Sequence, residues 1–447
     1  MGTLNPSDVS TSLQRIADLA RKAPERSFMS IHHVIDVDLL REAYRRTRKD
    51  GAVGVDQQTA AEYAANLEEN LQSLRDRMKL GTYYAPPVRR VDIPKGDGSQ
   101  TRPIGIPTFE DKVLQRAVAM VLEAIYEQDF LDCSYGFRRG RSAHQALGTI
   151  FQSTMQMHGG YVIELDIEKF FDRLDHGHLR TFLDRRVRDG VIRRAIDKWL
   201  KAGVLTEGRL THSRQGTPQG GVISPLLANI YLHEVFDRWF QEQIAPQLRG
   251  RSFMVRYADD AILVFSSEED ARRVFDVLPK RFARFGLTLH PEKTRLVQFT
   301  CPPYLRMQRL PQKEGGPGTF DFLGFTHYWG KSREGRWIVR KKTIRDRLVR
   351  FLRRIAQWCR RYRHEKIAWQ HAHLVRVIRG HDAYYAVTGN ERQLDRLRQL
   401  VHRIWQKWLS RRSESTPMSW ARFNRLLARY PLPKVRVVHS LYHAAKP

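Results

Sequence analysis

Apolar residues along the chain fall into the two periods that separate strands from helices. Residues 253–257 and 261–265 are short runs rich in β-formers, divided by the step Ala258-Asp259-Asp260. The stretch 253–265 therefore reads as strand, tight turn, strand, with carboxylates at the tip. Residues 161–166 form another strand-like run that ends in an aspartate. An extended stretch at 86–94, a turn at 95–99 and a return strand at 100–106 predict a β-hairpin with a basic tip. Helical spacing predicts helices over 13–22, 38–49, 59–80, 109–126 and 143–157, with a loop at 51–56. Between 341 and 363, Ile344, Leu348, Phe351, Leu352 and Ile355 recur at helical spacing and predict one amphipathic helix. The fold class expected from this alternation is α+β.

Charge changes the picture. The 447 residues carry 77 Lys and Arg against 48 Asp and Glu, a formal net charge of +29. Such a balance favours a polyanionic partner. An apolar stretch of about 18 residues, as a membrane span needs, is absent, as are signal-peptide and lipidation patterns. Nucleic acid is thus the expected partner, a membrane is not, and the expected location is the cytosol. Cys133, Cys301 and Cys359 are too few and too widely spaced for a disulfide framework or a zinc site. The histidines, including His32-His33 and His371-Ala372-His373, lack partners at metal-ligand spacing and read as surface or core residues. The 341–363 stretch holds ten basic residues and one acid, Asp346, giving its helix a strongly basic face.

Asp166, Asp259 and Asp260, brought together at the ends of neighbouring strands, are candidates to hold two divalent cations about 3.5–4 Å apart, as in phosphoryl-transfer centres of polymerases. The cations would relieve the repulsion among the carboxylates. The Ile167 carbonyl would complete a coordination sphere. Phe171 lies five residues beyond Asp166. An aromatic ring beneath the sugar of an incoming nucleotide collides with a 2′-hydroxyl and so selects deoxynucleotides. Between the aspartate strands, the glycine-rich run 215–229 leads into a helix and suits a floor beneath a nucleotide and its template base.

Taken in order, these motifs resemble the reverse transcriptases encoded by bacterial group II introns. The match runs through Ile93-Pro94-Lys95, Arg102-Pro103-Ile104-Gly105-Ile106-Pro107 and Ser134-Tyr135-Gly136-Phe137-Arg138. It continues through 166–172, 215–229, Tyr257-Ala258-Asp259-Asp260, 286–294 and Phe322-Leu323-Gly324-Phe325, covering roughly residues 45–390.

The resemblance implies a right-handed polymerase. Its parts would be an N-terminal extension (1–45), fingers (46–160), a palm (161–330), a helical thumb and maturase region (331–392) and a basic DNA-contacting appendage (393–447). It implies two Mg²⁺ ions, with Mn²⁺ as a substitute, on Asp166, Ile167, Asp259 and Asp260. Lys95 and Arg102 would grip the triphosphate, and Gln219 and Gly220 would line the nucleotide pocket. Lys293 would protonate the leaving pyrophosphate, residues 322–325 would grip the primer, and residues 51–56 would clamp template RNA. Lys341, Lys342, Arg345, Arg350, Arg353 and Arg354 would contact phosphates, giving salt-sensitive binding that positions RNA without reading its sequence. Trp358, Trp369, Tyr384 and Tyr385 are read as packing within the thumb.

The partners implied are group II intron RNA or another RNA template, a DNA primer or target, and deoxynucleoside triphosphates. Relatives often carry a C-terminal nuclease with paired cysteines and histidines; residues 393–447 have no such pairs, so target cleavage is not expected. Two alternatives stay open: a reverse transcriptase serving repair or phage defence, and an RNA-binding splicing factor without polymerase activity. Oligomeric state, the intron and the DNA target are open as well.

Overall fold

The computed structural model describes residues 6–95, 100–206, 209–211, 220–302, 318–332, 334–413 and 417–440. The architecture is α+β, and a four-stranded antiparallel sheet in the order β6-β7-β3-β8 lies at its centre. Its strands are β3 (Tyr161–Leu165), β6 (Ser252–Tyr257), β7 (Asp260–Phe265) and β8 (Arg295–Gln298). β3 is apolar apart from the buried Glu164, and β7 is apolar after Asp260, because both strands are covered on both faces. Tyr161, Ile163, Leu165, Ala261, Leu263 and Phe265 enter one core, whereas Val162, Ile262 and Val264 enter another. Side chains alternate across a strand, so each face feeds its own core.

The N-terminal helices Pro6–Lys22 and Val37–Arg46 pack on the helix Phe109–Tyr126, whose bounds match the expectation. The single helix expected over 59–80 is two, Ala60–Ala65 and Leu67–Leu80, broken at Asn66 with ψ at 45°. Asn70 donates to the Tyr63 carbonyl beside that break, at 2.9 Å. The first of the two starts with a reciprocal capping box between Thr59 and Glu62.

The expected hairpin is β1 (Val88–Lys95) and β2 (Gln100–Ile106); its tip, 96–99, lies outside the described residues. It belongs to a second sheet, β2-β1-β4-β5, in which β4 (Val204–Thr206) runs parallel to β1 and pairs with β5 (Arg209–Thr211). The strands β4 and β5, three residues each, were not anticipated, because so short an alternation carries no period.

A third sheet, β9 (Phe320–Phe322), β10 (Phe325–Lys331) and β11 (Trp337–Thr343), leads into four helices: Arg345–Arg361, Ile367–Tyr385, Glu391–Ser410 and Trp420–Arg429. The helix expected from Lys341 therefore begins at Arg345, and Lys341 is a strand residue. Its side chain is 1% exposed and its ammonium lies 4.8 Å from the Phe151 ring centroid, so it is sealed from any phosphate. Burial draws its pKa down to about 7. The stretch expected as an appendage from 393 packs onto the preceding helices. Leu397, Trp405, Phe423 and Leu432 share one core with Ile355, Leu374 and Ile378, so the tail completes the helical unit. Among the described residues no helix is long and apolar enough to cross a membrane. Cys133, Cys301 and Cys359 are free thiols, the last two buried.

Candidate active site

Asp166 stands one residue past the end of β3, and the register Leu165↔Ala261 sets it beside the start of β7. Its backbone is fixed from the far side, since its carbonyl accepts from the His290 N–H at 2.8 Å. The buried Ile167 forms a bridge with Leu289. Across the sheet, Tyr257 pairs with Asp260, leaving Ala258 and Asp259 as a two-residue turn. Ala258 has φ at +58°, the left-handed setting that tight hairpins demand at a central position. Asp166 and Asp260 line an open cleft of about 450 Å³ with Lys293, Phe322, Leu323, Gly324 and Arg347.

The electrostatics are those of crowded carboxylates. Burial raises the Asp259 pKa, and the nearby Asp166 charge adds to it, while Arg102 and Arg256 work against the rise. Asp260 stays exposed to the cleft, yet its pKa is raised to about 6, first by the loss of hydration among the groups crowded around it and then by repulsion from Asp259 and Asp166, against Arg347 and Lys293. Lys293 places Nζ 3.3 Å from Asp166 Oδ2. Among the described residues no three Asp, Glu, His or Cys side chains close into a metal cage. Hard carboxylate oxygens in an open, repulsive cluster nonetheless suit Mg²⁺, which keeps waters and substrate phosphates among its ligands.

Other candidates divide into those the fold brings to this cleft and those it does not. Arg102 is exposed on β2 opposite Ile93, and its charge reaches Asp259. Lys95 ends β1 opposite Gln100. Gln219 lies outside the described residues. Gly220 has φ at +121°, and a Cβ there would stand 2.5 Å from the Gly105 carbonyl oxygen, so glycine is what lets this run close on β2. Phe171 sits half-buried in the short helix Phe170–Arg173, its ring 5.4 Å from that of Phe170.

In the 322–325 segment, Phe322 and Phe325 are buried anchors, and the turn Leu323-Gly324 faces the cleft. Tyr384 donates its hydroxyl to the Leu323 carbonyl. Arg345, Arg353 and Arg354 are exposed, whereas Arg350 is half-buried and donates to the Asp346 carbonyl. Lys342 lies 5.3 Å over the Tyr328 ring. Trp358 stacks on His373 at 3.9 Å, but Trp369 is 48% exposed, more open than the packing role expected of it.

Sequence reasoning passed over Arg347, Tyr384's bond to the turn, and Arg256. The last had a signal. Arg256 interrupts an apolar strand, and a charge in such a place is buried only with partners. Its partners include Asp237 and Asn229, each at most 1% exposed, and the buried Ser134.

Known proteins share much of this sequence. Residues 93–327, more than half of the chain, match the family described as "Reverse transcriptase (RNA-dependent DNA polymerase)". The chain is 40% identical over 226 residues to "Group II intron-encoded protein LtrA" of Lactococcus lactis subsp. cremoris, covering 48% of this chain and 37% of that protein. It is 39% identical over 241 residues to "Protein YkfC" of Escherichia coli K12, covering 47% and 62% respectively. An "Uncharacterized 91 kDa protein in cob intron" of Schizosaccharomyces pombe is 40% identical over 169 residues, 38% of this chain and 20% of that protein. The chain thus spans less than two thirds of the length of each of these relatives.

Proposed function

Because the chain belongs to the reverse transcriptase (RNA-dependent DNA polymerase) family, we propose that it copies RNA into DNA for a group II intron and binds that intron's RNA as a maturase. The observation that carries this reading is the register Leu165↔Ala261, which puts Asp166 beside the Asp259-Asp260 turn with Lys293 against Asp166. The intron assignment draws on the likeness to LtrA, a group II intron-encoded protein by name.

Asp166, Asp259, Asp260 and the Ile167 carbonyl would hold two Mg²⁺ ions, which supply activation of the primer 3′-hydroxyl and charge neutralisation at the leaving pyrophosphate. The chain's own residues do the rest. Lys293 donates a proton to pyrophosphate from beside Asp166. Arg102, whose charge already reaches Asp259, holds the triphosphate from the hairpin. Phe171 bars the 2′-hydroxyl of a ribonucleotide. The turn Leu323-Gly324 presents backbone to the primer end, and its anchors Phe322 and Phe325 hold it to the core. Arg345, Arg353 and Arg354 offer cations to phosphates of the RNA–DNA duplex or of intron RNA. In this reading the central sheet is a palm, the β1–β2 hairpin belongs to the fingers, and the helices from Arg345 onward form the thumb.

Extension of a DNA primer on an RNA template, comparing deoxynucleotides with ribonucleotides, tests the polymerase half. Synthesis from deoxynucleotides alone supports it. Splicing of an intron transcript at low Mg²⁺ with and without the protein tests the maturase half; equal splicing in both would remove that role.

A further inference from the structure

The catalytic turn is held in an unfavourable backbone conformation, and one side chain accounts for how. Ala258 adopts φ +58° without being glycine. The Arg256 guanidinium, 0% exposed, reaches forward to the Ala258 carbonyl at 2.8 Å from Nη1. The same Nη1 donates to Asn229 Oδ1 at 3.0 Å. Nε and Nη2 donate to the two Asp237 carboxylate oxygens at 2.7 and 2.5 Å, and Nη2 also donates to Ser134 Oγ at 2.9 Å. A guanidinium has five N–H donors, and five acceptors surround this one.

The frame behind it is tied to the motif at 134–138. The Arg256 N–H donates to the Cys133 carbonyl at 2.7 Å, and its carbonyl accepts from the Tyr135 N–H at 2.8 Å. Asn229 Nδ2 donates to the Gly136 carbonyl at 2.7 Å. A Cβ on Gly136 would fall inside the van der Waals shell of the Ala258 nitrogen, so this backbone presses directly on the turn. Asp237 ends a π-helical turn, His233–Asp237, that extends the helix Ser224–Leu232. π-Turns are rare and concentrate at functional sites.

We propose that Arg256 is the positioning residue of the active site: through Ala258 it fastens the turn bearing Asp259 and Asp260 to a buried frame of Asp237, Asn229 and Ser134. The inference rests on the polymerase reading for its catalytic consequence, but not for the geometry. Lysine cannot replace arginine here, because three donors on a point charge cannot serve five acceptors in a plane. Glycine at 258 takes the left-handed setting without help, so it relieves the turn of its dependence on Arg256.

The test uses Arg256→Lys, with and without Ala258→Gly, in single-turnover nucleotide addition and in amide hydrogen exchange across residues 253–265. Arg256→Lys is expected to lower the addition rate about tenfold or more. Apparent deoxynucleotide and RNA–primer affinities should be unchanged, and exchange at the turn should be faster. Ala258→Gly in the same chain should recover several-fold of the rate. A folded Arg256→Lys with the wild-type rate and wild-type exchange overturns the proposal. So does a rate loss that tracks the unfolding midpoint and is not recovered by Ala258→Gly. Should Arg256→Lys fail to fold, Asn229→Ala keeps the Arg256–Asp237 ion pair while removing one acceptor of Nη1 together with the bridge to Gly136, and the same readouts apply. Should the wild type make no DNA, the polymerase reading fails, and turn exchange alone decides on Arg256.

Discussion

The Tyr384 hydroxyl donates to the Leu323 carbonyl at 2.9 Å, joining the end of the helix Ile367–Tyr385 to the turn between β9 and β10. Next to it, a Cβ on Gly324 would meet the Tyr385 hydroxyl at 3.1 Å. The turn proposed to hold the primer is thus set by the helical unit as well as by its own hairpin. Replacing Tyr384 by Phe removes one half-buried bond of about 0.5–1.5 kcal/mol. Primer–template affinity should fall about two- to tenfold by equilibrium binding, with the rate at saturating primer nearly unchanged.

Asp260 sets a pH dependence. Its folded pKa is raised to about 6 from the ordinary 3.8. The folded state therefore holds this proton more tightly than the unfolded chain. The associated stability is fully present below about pH 4 and is lost as pH rises through about 6. In metal-free buffer, Asp260→Asn should melt at a higher temperature than wild type above pH 6, and the gap should close toward pH 4. Thermal unfolding followed by circular dichroism at both pH values checks this.

Phe171 is proposed to select the sugar. Phe171→Ala should admit ribonucleotides, narrowing the deoxy-to-ribo ratio of incorporation efficiency by about tenfold, equivalent to ~1.4 kcal/mol. Single-nucleotide extension with matched dNTP and NTP pairs measures the ratio directly.

Lys341 and the Arg353, Arg354 pair separate sealed charge from available charge. Lys341→Met should leave RNA affinity unaltered, because the ammonium is buried over Phe151. It should also flatten the stability rise expected between pH 7 and 10. The unfolded chain keeps the lysine proton up to about 10.5, whereas the folded chain releases it near 7. Replacing Arg353 and Arg354 together by Ala should weaken RNA binding. The salt slope should fall by about 0.7–0.9 for each phosphate that is no longer neutralised. Filter binding across a salt series distinguishes the two variants.

Much of this site was legible in the sequence because its parts are local. An aspartate at the end of a buried strand, and two more in a turn between two β-rich runs, can each be read locally, and the pairing Leu165↔Ala261 is what makes them neighbours. The β1–β2 hairpin and the helix Phe109–Tyr126 were readable for the same reason. What escaped depends on residues distant in sequence. Lys341 looked like the first cation of a basic helix, yet pairing of β10 with β11 sets it opposite His327 and turns it into the core. Nothing local marks Asn66 as a helix break, or Asp237 as the counter-ion of Arg256. The tail beyond 393 looked like a basic appendage because most of its basic residues are on the surface, while Trp405, at 0% exposed, and the buried Arg398, paired with Asp382, hold it to the helical core.

Asp166, Asp259 and Asp260 are proposed as the centre of DNA synthesis on RNA. The most direct measurement is the single-turnover rate of primer extension on an RNA template for wild type and Asp259→Asn, with RNA affinity measured on the same preparations. Wild type should extend the primer, and the variant should lose about two to three orders of magnitude or more, the scale of removing charge stabilisation from a reacting centre. RNA affinity should stay within about twofold, since the centre itself adds little to RNA binding, which rests on phosphates held elsewhere. Extension by Asp259→Asn at the wild-type rate, or none by a folded wild type that binds RNA, would contradict it.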